Sequence, residues 1–191
     1  MYKDQRGMKR VYVAHKIAQK LVGNLSAQQR NDLLLNVWYS LDQQDIDEGF
    51  DLTQLPFDRV IVDYFIRNEF DEEVNYGEFF DPVIIEALAS GYLIYNNTKL
   101  QQMYDDIYQI KICIDEDSRR FHLVCPCCGF YSLSLVPDWE VCGICMWEND
   151  GEMEEKYSVV NRMSLMAYRQ HFYEKNSKDE LKKHYISDAS I

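Results

Sequence analysis

Glycine and proline are scarce in this chain, eight and four among 191 residues. That scarcity argues against long flexible linkers and, beside many helix-forming residues, for a mostly helical body. No stretch approaches the roughly 18 uncharged apolar residues that a membrane span needs. The opening MYKDQRGMKRVYVAHKIAQKL alternates charged with apolar residues and lacks the apolar core of a signal peptide. The expectation is a soluble cytoplasmic protein without membrane partners. Catalytic signatures are missing too: the sequence has no phosphate-binding loop, no GxSxG elbow and no HExxH. His15, His122, His171 and His184 form no metal-binding or nucleophile pair, and a surface or half-buried role is expected for each. Asp105 and Asp106, adjacent in a helix, cannot face one another as an acid pair. The chain is therefore expected to bind rather than to catalyse.

Positive charge is in short supply as well, with 20 Lys and Arg against 32 Asp and Glu and a net charge of -12. The deficit is local. Residues 1–40 hold seven bases and two acids, residues 41–117 four and nineteen, and residues 118–191 nine and eleven. A phosphate backbone would be repelled by the middle segment, which makes nucleic acid a poor partner and a basic protein a better one.

What is present is an apolar fraction of 47%, enough for one sizeable domain or a medium and a small one. Val11, Ala14, Ile17, Ala18 and Leu21 give a helix that Gly23 and Asn24 end. Ser26 and Gln29 read as a capping box before the Leu33, Leu34, Val37, Trp38, Leu41 series. DQQDIDEGFDLTQ, residues 42–54, is an exposed acidic loop. Pro56 then opens a helix on Phe57, Val60, Ile61, Tyr64 and Phe65. After a second acidic stretch, Glu69 to Glu78, Asp81 and Pro82 start a helix that buries Val83, Ile84, Ala87 and Leu88 and stops at Gly91. Thr98 caps one more, with Leu100, Met103, Tyr104, Ile107 and Tyr108 on one face. Alternation of Ile110, Ile112 and Ile114 predicts a strand, and Phe121 to Val124 returns as a second. The class is α+β: a helical domain over residues 1–110, then a zinc-ribbon-like β module with a terminal helix over 111–191.

Six cysteines in a cytoplasmic chain point to metal more than to a disulfide framework. Cys125 and Cys128 lie in CPCCG, and Cys142 and Cys145 in CGIC. Two residues between the members of a pair let both sulfurs turn to one point, with Gly129 supplying backbone freedom. Two such knuckles complete a tetrahedron, so one zinc ion is expected. Four thiolates close its shell, which makes it structural; a redox-active CxxC is the weaker reading at this doubled spacing. The intervening FYSLSLVPDWEV predicts a hairpin about Pro137 and Asp138. Cys127 should point away from the metal, and Cys113 reads as a small core residue.

From Phe121 to about Tyr173 the chain resembles the bacterial cysteine-rich CPCC family. The CPCCG knuckle carries the resemblance, with Trp139, Glu140 and Val141 leading into the second knuckle and the Trp147, Glu148, Asn149, Asp150 run after it. Asn161, Ser164 and Leu165 fall where the family continues with an Asn and a Ser-Leu helix start. The resemblance implies a small zinc-stapled module that recurs around bacterial polymorphic-toxin loci, where such proteins look like immunity proteins. The helical residues 1–108 lie outside it and carry the acid. The function to expect is binding and blocking of a cognate toxin, in a 1:1 complex, through an acidic surface that fits a basic cleft. A nuclease or an ADP-ribosyltransferase toxin domain would suit such a surface. Asp45, Asp47, Glu48, Asp51, Asp71, Glu72, Glu73 and Glu78 are the acids expected to contact it, with Phe50, Phe79 and Phe80 as anchors. The alternative is a zinc-ribbon adaptor or regulator of transcription or translation machinery, although residues 125–150 lack a basic stripe for nucleic acid.

Overall fold

The computed structural model describes residues 7–40, 57–71, 76–115, 122–134, 139–151 and 154–187. The chain is α+β and divides into two compact units, His15–Ala89 and Met1–Ala14 with Ser90–Ile191. Among the described residues no helix is long and apolar enough to cross a membrane.

Helix α1, Arg10–Leu21, buries Val13, Ala14, Ile17 and Ala18 and tightens into a 3-10 turn over Val22–Asn24. Helix α2, Ala27–Ser40, opens with the capping box in its reciprocal form. The Gln29 N–H donates to Ser26 Oγ at 3.2 Å, and the Ser26 N–H to Gln29 Oε1 at 2.9 Å. Helix α3, Arg59–Arg67, begins later than proposed from Pro56, which lies outside the described residues. Its cap is Asp58, an extended residue whose carboxylate accepts the Val60 N–H at 2.9 Å. Helix α4, Asp81–Tyr92, follows a 3-10 turn over Gly77–Phe80. Asp81 is thus already helical and closes the 3-10 turn through its own N–H to Glu78 O; its carboxylate pairs with the Arg30 guanidinium. The core of this unit is rich in rings. Trp38 meets Phe65 at 4.4 Å and Phe70 at 5.4 Å, over a floor of Leu34, Ile61, Val83 and Ile84.

In the other unit, helix α5, Asn97–Tyr108, is capped by Asn96 rather than Thr98. A cap must be extended with a short side-chain oxygen; Asn96 is, and its Oδ1 accepts the Lys99 N–H at 2.9 Å. The strand expected at 110–114 is reduced to one parallel bridge between Met8 and Ile114. Its bonds are Met8 N–H to Cys113 O at 2.8 Å and Asp115 N–H to Met8 O at 3.1 Å. With pairing confined to that point, only Ile114 is buried; Ile110 is exposed and so is Cys113, which is not the small core residue expected.

Two short antiparallel pairs follow. Strand β1, Leu123–Val124, pairs with β2, Tyr131–Leu133, and β3, Tyr157–Ser158, with β4, Met163–Ser164. Helix α6, Leu165–Lys175, starts at the expected Ser164 cap, whose Oγ accepts the Ala167 N–H at 3.3 Å, and α7 covers Lys178–Lys182. The tail then ties this region together. The His184 carbonyl accepts the Asn96 N–H at 2.7 Å, and the Ile186 carbonyl accepts the Tyr131 N–H at 2.9 Å. Tyr95 and Tyr185 stack at 5.2 Å along the same seam.

Candidate metal centre

Each CxxC forms the tip of its own hairpin, and the two tips have the same backbone wiring. In the first, the Cys125 N–H donates to Phe130 O at 2.9 Å and the Gly129 N–H to Cys125 O at 2.9 Å. In the second, the Cys142 N–H donates to Trp147 O at 2.8 Å and the Met146 N–H to Cys142 O at 2.9 Å. The fourth residue after the leading cysteine must be left-handed to close this turn. Gly129 takes it at φ 71°, and Met146 takes the equivalent place at φ 64°. The hairpin expected between the knuckles, about Pro137 and Asp138, is therefore replaced. Residues 135–138 lie outside the described residues, and the second apolar run pairs forward across its own knuckle, Val141 with Glu148. The CxxC is itself the chain reversal, so each flank finds its partner locally.

The tips bring four sulfurs together. Sγ of Cys125 and Cys145 lie 3.7 Å apart, as do those of Cys128 and Cys142, and all four fall within 4.8 Å of one another. A zinc–sulfur bond of about 2.3 Å gives a tetrahedron with edges of about 3.8 Å, so the separations fit one shared ion. All four cysteines are buried, in a core with Phe130, Leu133, Trp147 and Leu165. Four buried cysteines are thus positioned to bind a single metal ion. Cys127 is buried in the same core and stands outside the four.

Support comes from residues whose part the sequence did not disclose. The Ser132 hydroxyl lies 2.9 Å from Cys142 Sγ, and the backbone N–H groups of Ile144 and Cys145 reach the same sulfur at 3.4 and 3.5 Å. Helix α6 holds the knuckle carbonyls. The Tyr168 hydroxyl donates to Cys145 O at 3.0 Å, Arg169 donates to Pro126 O at 2.7 Å and Cys127 O at 3.2 Å, and the Tyr173 hydroxyl donates to Cys128 O. Burial, then the nearby Cys128 charge, pushes the Tyr173 pKa up to about 12, so it stays a donor at neutral pH. Asn161 fixes the far flank of the second knuckle: its side chain accepts the Glu148 N–H at 2.9 Å and donates to Glu148 O at 2.8 Å.

Of the residues expected to touch a partner, Asp45, Asp47, Glu48, Phe50, Asp51, Glu72 and Glu73 lie outside the described residues. Asp71 and Glu78 are exposed, and Phe79 is 49% exposed. Phe80 is 2% exposed and packs among Tyr64, Phe65 and Tyr76, so it is a core residue and not a surface anchor. Of the histidines, His15 meets Glu86 at 3.2 Å and His171 and His184 are exposed, but His122 is buried, deeper than the surface or half-buried role expected of it.

Two CxxC hairpin tips around one tetrahedral set of sulfurs, braced by a helix that binds their carbonyls, define a metal-knuckle module. Residues 123–189 match the model of the family described as Cysteine-rich CPCC, and this part of the chain is similar to that family. That match covers about a third of the 191 residues and leaves the helices before it outside. No curated protein and no solved structure matches the chain.

Proposed function

We propose that this chain is an immunity protein, which binds a cognate interbacterial toxin domain in the cytoplasm and blocks its active site, while one structural zinc ion staples its CPCC module. The observation that carries the reading is an aromatic patch in acidic surroundings within residues 15–89. Phe79 meets Tyr64 edge-on at 6.4 Å, and Tyr64 is itself 36% exposed. Val60, one turn before Tyr64 on α3 and so on the same face, is 63% exposed. Residues 57–81 carry eight acids against two bases, Asp71 and Glu78 among the exposed ones. Exposed aromatics that touch one another supply the desolvated centre an interface needs, and surrounding carboxylates select a basic counterpart and speed its approach. A nuclease or ADP-ribosyltransferase domain with a basic cleft suits that surface. The four-thiolate shell leaves no open position for substrate, which supports a structural role for the ion.

The test is co-expression with the C-terminal domain of the protein encoded immediately upstream. That domain is expected to be toxic alone and harmless beside this chain; lethality that persists, or a harmless domain, defeats the reading. Phe79→Ala is expected to weaken the complex by about 2 kcal/mol, roughly thirtyfold. Glu78→Lys should slow association most at low salt.

A further inference from the structure

We propose that Ser132 is a positioning residue of the metal centre, donating its hydroxyl to the Cys142 thiolate and so setting how tightly the site holds its ion. The proposal rests on the reading of the four cysteines as ligands of one ion. Ser132 sits in the middle of β2 and is 6% exposed, beside a module core built from thiols, Phe130, Leu133, Trp147 and Leu165. Its Oγ is 2.9 Å from Cys142 Sγ, while its other acceptor, Phe130 O, lies at 3.5 Å, the limit of a useful bond. A metal-bound thiolate has no proton to give, so this contact has one sense: the hydroxyl donates.

The chemistry explains why a hydroxyl belongs there. Four thiolates around a dication leave about two net negative charges in a buried site, and interior charge is costly unless donors meet it. Cys142 gathers three: the Ser132 hydroxyl and the N–H groups of Ile144 and Cys145. The donated hydrogen bond spreads the negative charge of the sulfur, making it a poorer target for the acid that opens the shell and lowering the cost of keeping four thiolates together. Outer partners of this kind typically change metal affinity by about 10- to 100-fold.

The experiment compares Ser132→Val with Ser132→Thr in the full chain, since the two side chains share a shape and differ by the hydroxyl. Each is loaded with Co(II) for its thiolate-to-metal charge-transfer band, then with Zn(II) for release to a chelator. Valine should move the band to lower energy and weaken zinc binding by about tenfold, and threonine should keep both near wild type. Valine and threonine proteins with the same band and release rate would overturn the proposal. A wild-type chain that takes up neither metal would instead defeat the four-cysteine reading itself. Should the valine protein not fold, Ser132→Ala replaces it, and a wild-type band and release rate there overturn the proposal equally.

Discussion

Replacing Met146 with glycine is expected to stabilise the metal-loaded protein, against the usual outcome of introducing glycine. The equivalence of the two knuckles provides the reason: the turn wants a left-handed residue at its fourth position, and only the first knuckle has a glycine there. A left-handed conformation costs a residue with a Cβ about 1–2 kcal/mol. Glycine relieves that and gives back about 0.5–1 kcal/mol through its freer unfolded chain. Met146 is 65% exposed, so losing its side chain sacrifices little burial. The net gain is about 0.5–1 kcal/mol, a rise in melting temperature of about 1–4 °C. Gly129→Ala, the reverse change at the matching position, should cost a similar net amount, about 0.5–1 kcal/mol. Chemical denaturation of the zinc-loaded variants, read by circular dichroism, measures both. A Met146→Gly protein less stable than wild type, or a neutral Gly129→Ala, would refute the argument from equivalent turns.

Four other outcomes follow from the same contacts. Cys142→Ser should unfold the region over 122–187, because zinc binding contributes about 10–16 kcal/mol of folding free energy in small modules, while the ring cluster about Trp38 keeps its hydrogen-exchange protection; equal protection of both regions would contradict this. Phe80→Ala should cost about 3–5 kcal/mol of stability in urea unfolding, and the half-exposed Phe79→Ala below about 1. Asn161→Ala removes both bonds to Glu148 and should lose about 2 kcal/mol with faster amide exchange at Glu148, a change absent if the clamp is unimportant. Burial, and then the Arg10 guanidinium, pull the His122 pKa below its ordinary 6.5, so the neutral ring is the folded form. The stability this contributes is full above pH 6.5 and is lost as pH falls from there toward the folded pKa. His122→Gln should flatten that limb relative to wild type, and a ring that titrates at its ordinary value by NMR would remove the effect.

Much of the helical framework was legible because its signals are local. Ser26 with Gln29 and Ser164 with its following apolar residues cap helices as their spacing implies. The errors at helix starts come from competition among nearby candidates for one role. Asn96 caps where Thr98 was expected, and α3 starts from an Asp58 cap rather than at Pro56, because backbone conformation at the junction decides which side chain reaches an orphan N–H. The alternating isoleucines at 110–114 satisfy a strand pattern, but a strand also needs a neighbour, and sequence period does not supply one. Doubled CxxC spacing brought out the four clustered cysteines, since metal geometry constrains spacing tightly. Nothing in the spacing announced Ser132, Tyr168, Arg169 or Tyr173, which reach the knuckles from elsewhere in the fold. Phe79 and Phe80 are adjacent in the same 3-10 turn, and only packing separates the exposed ring from the buried one.

The central claim is that Cys125, Cys128, Cys142 and Cys145 close one shell around a zinc ion. X-ray absorption at the zinc edge of the purified chain tests it most directly. One zinc per chain with four sulfur neighbours at about 2.3 Å is the predicted result. A shell containing nitrogen or oxygen, fewer than four sulfurs, or no zinc at all would contradict it.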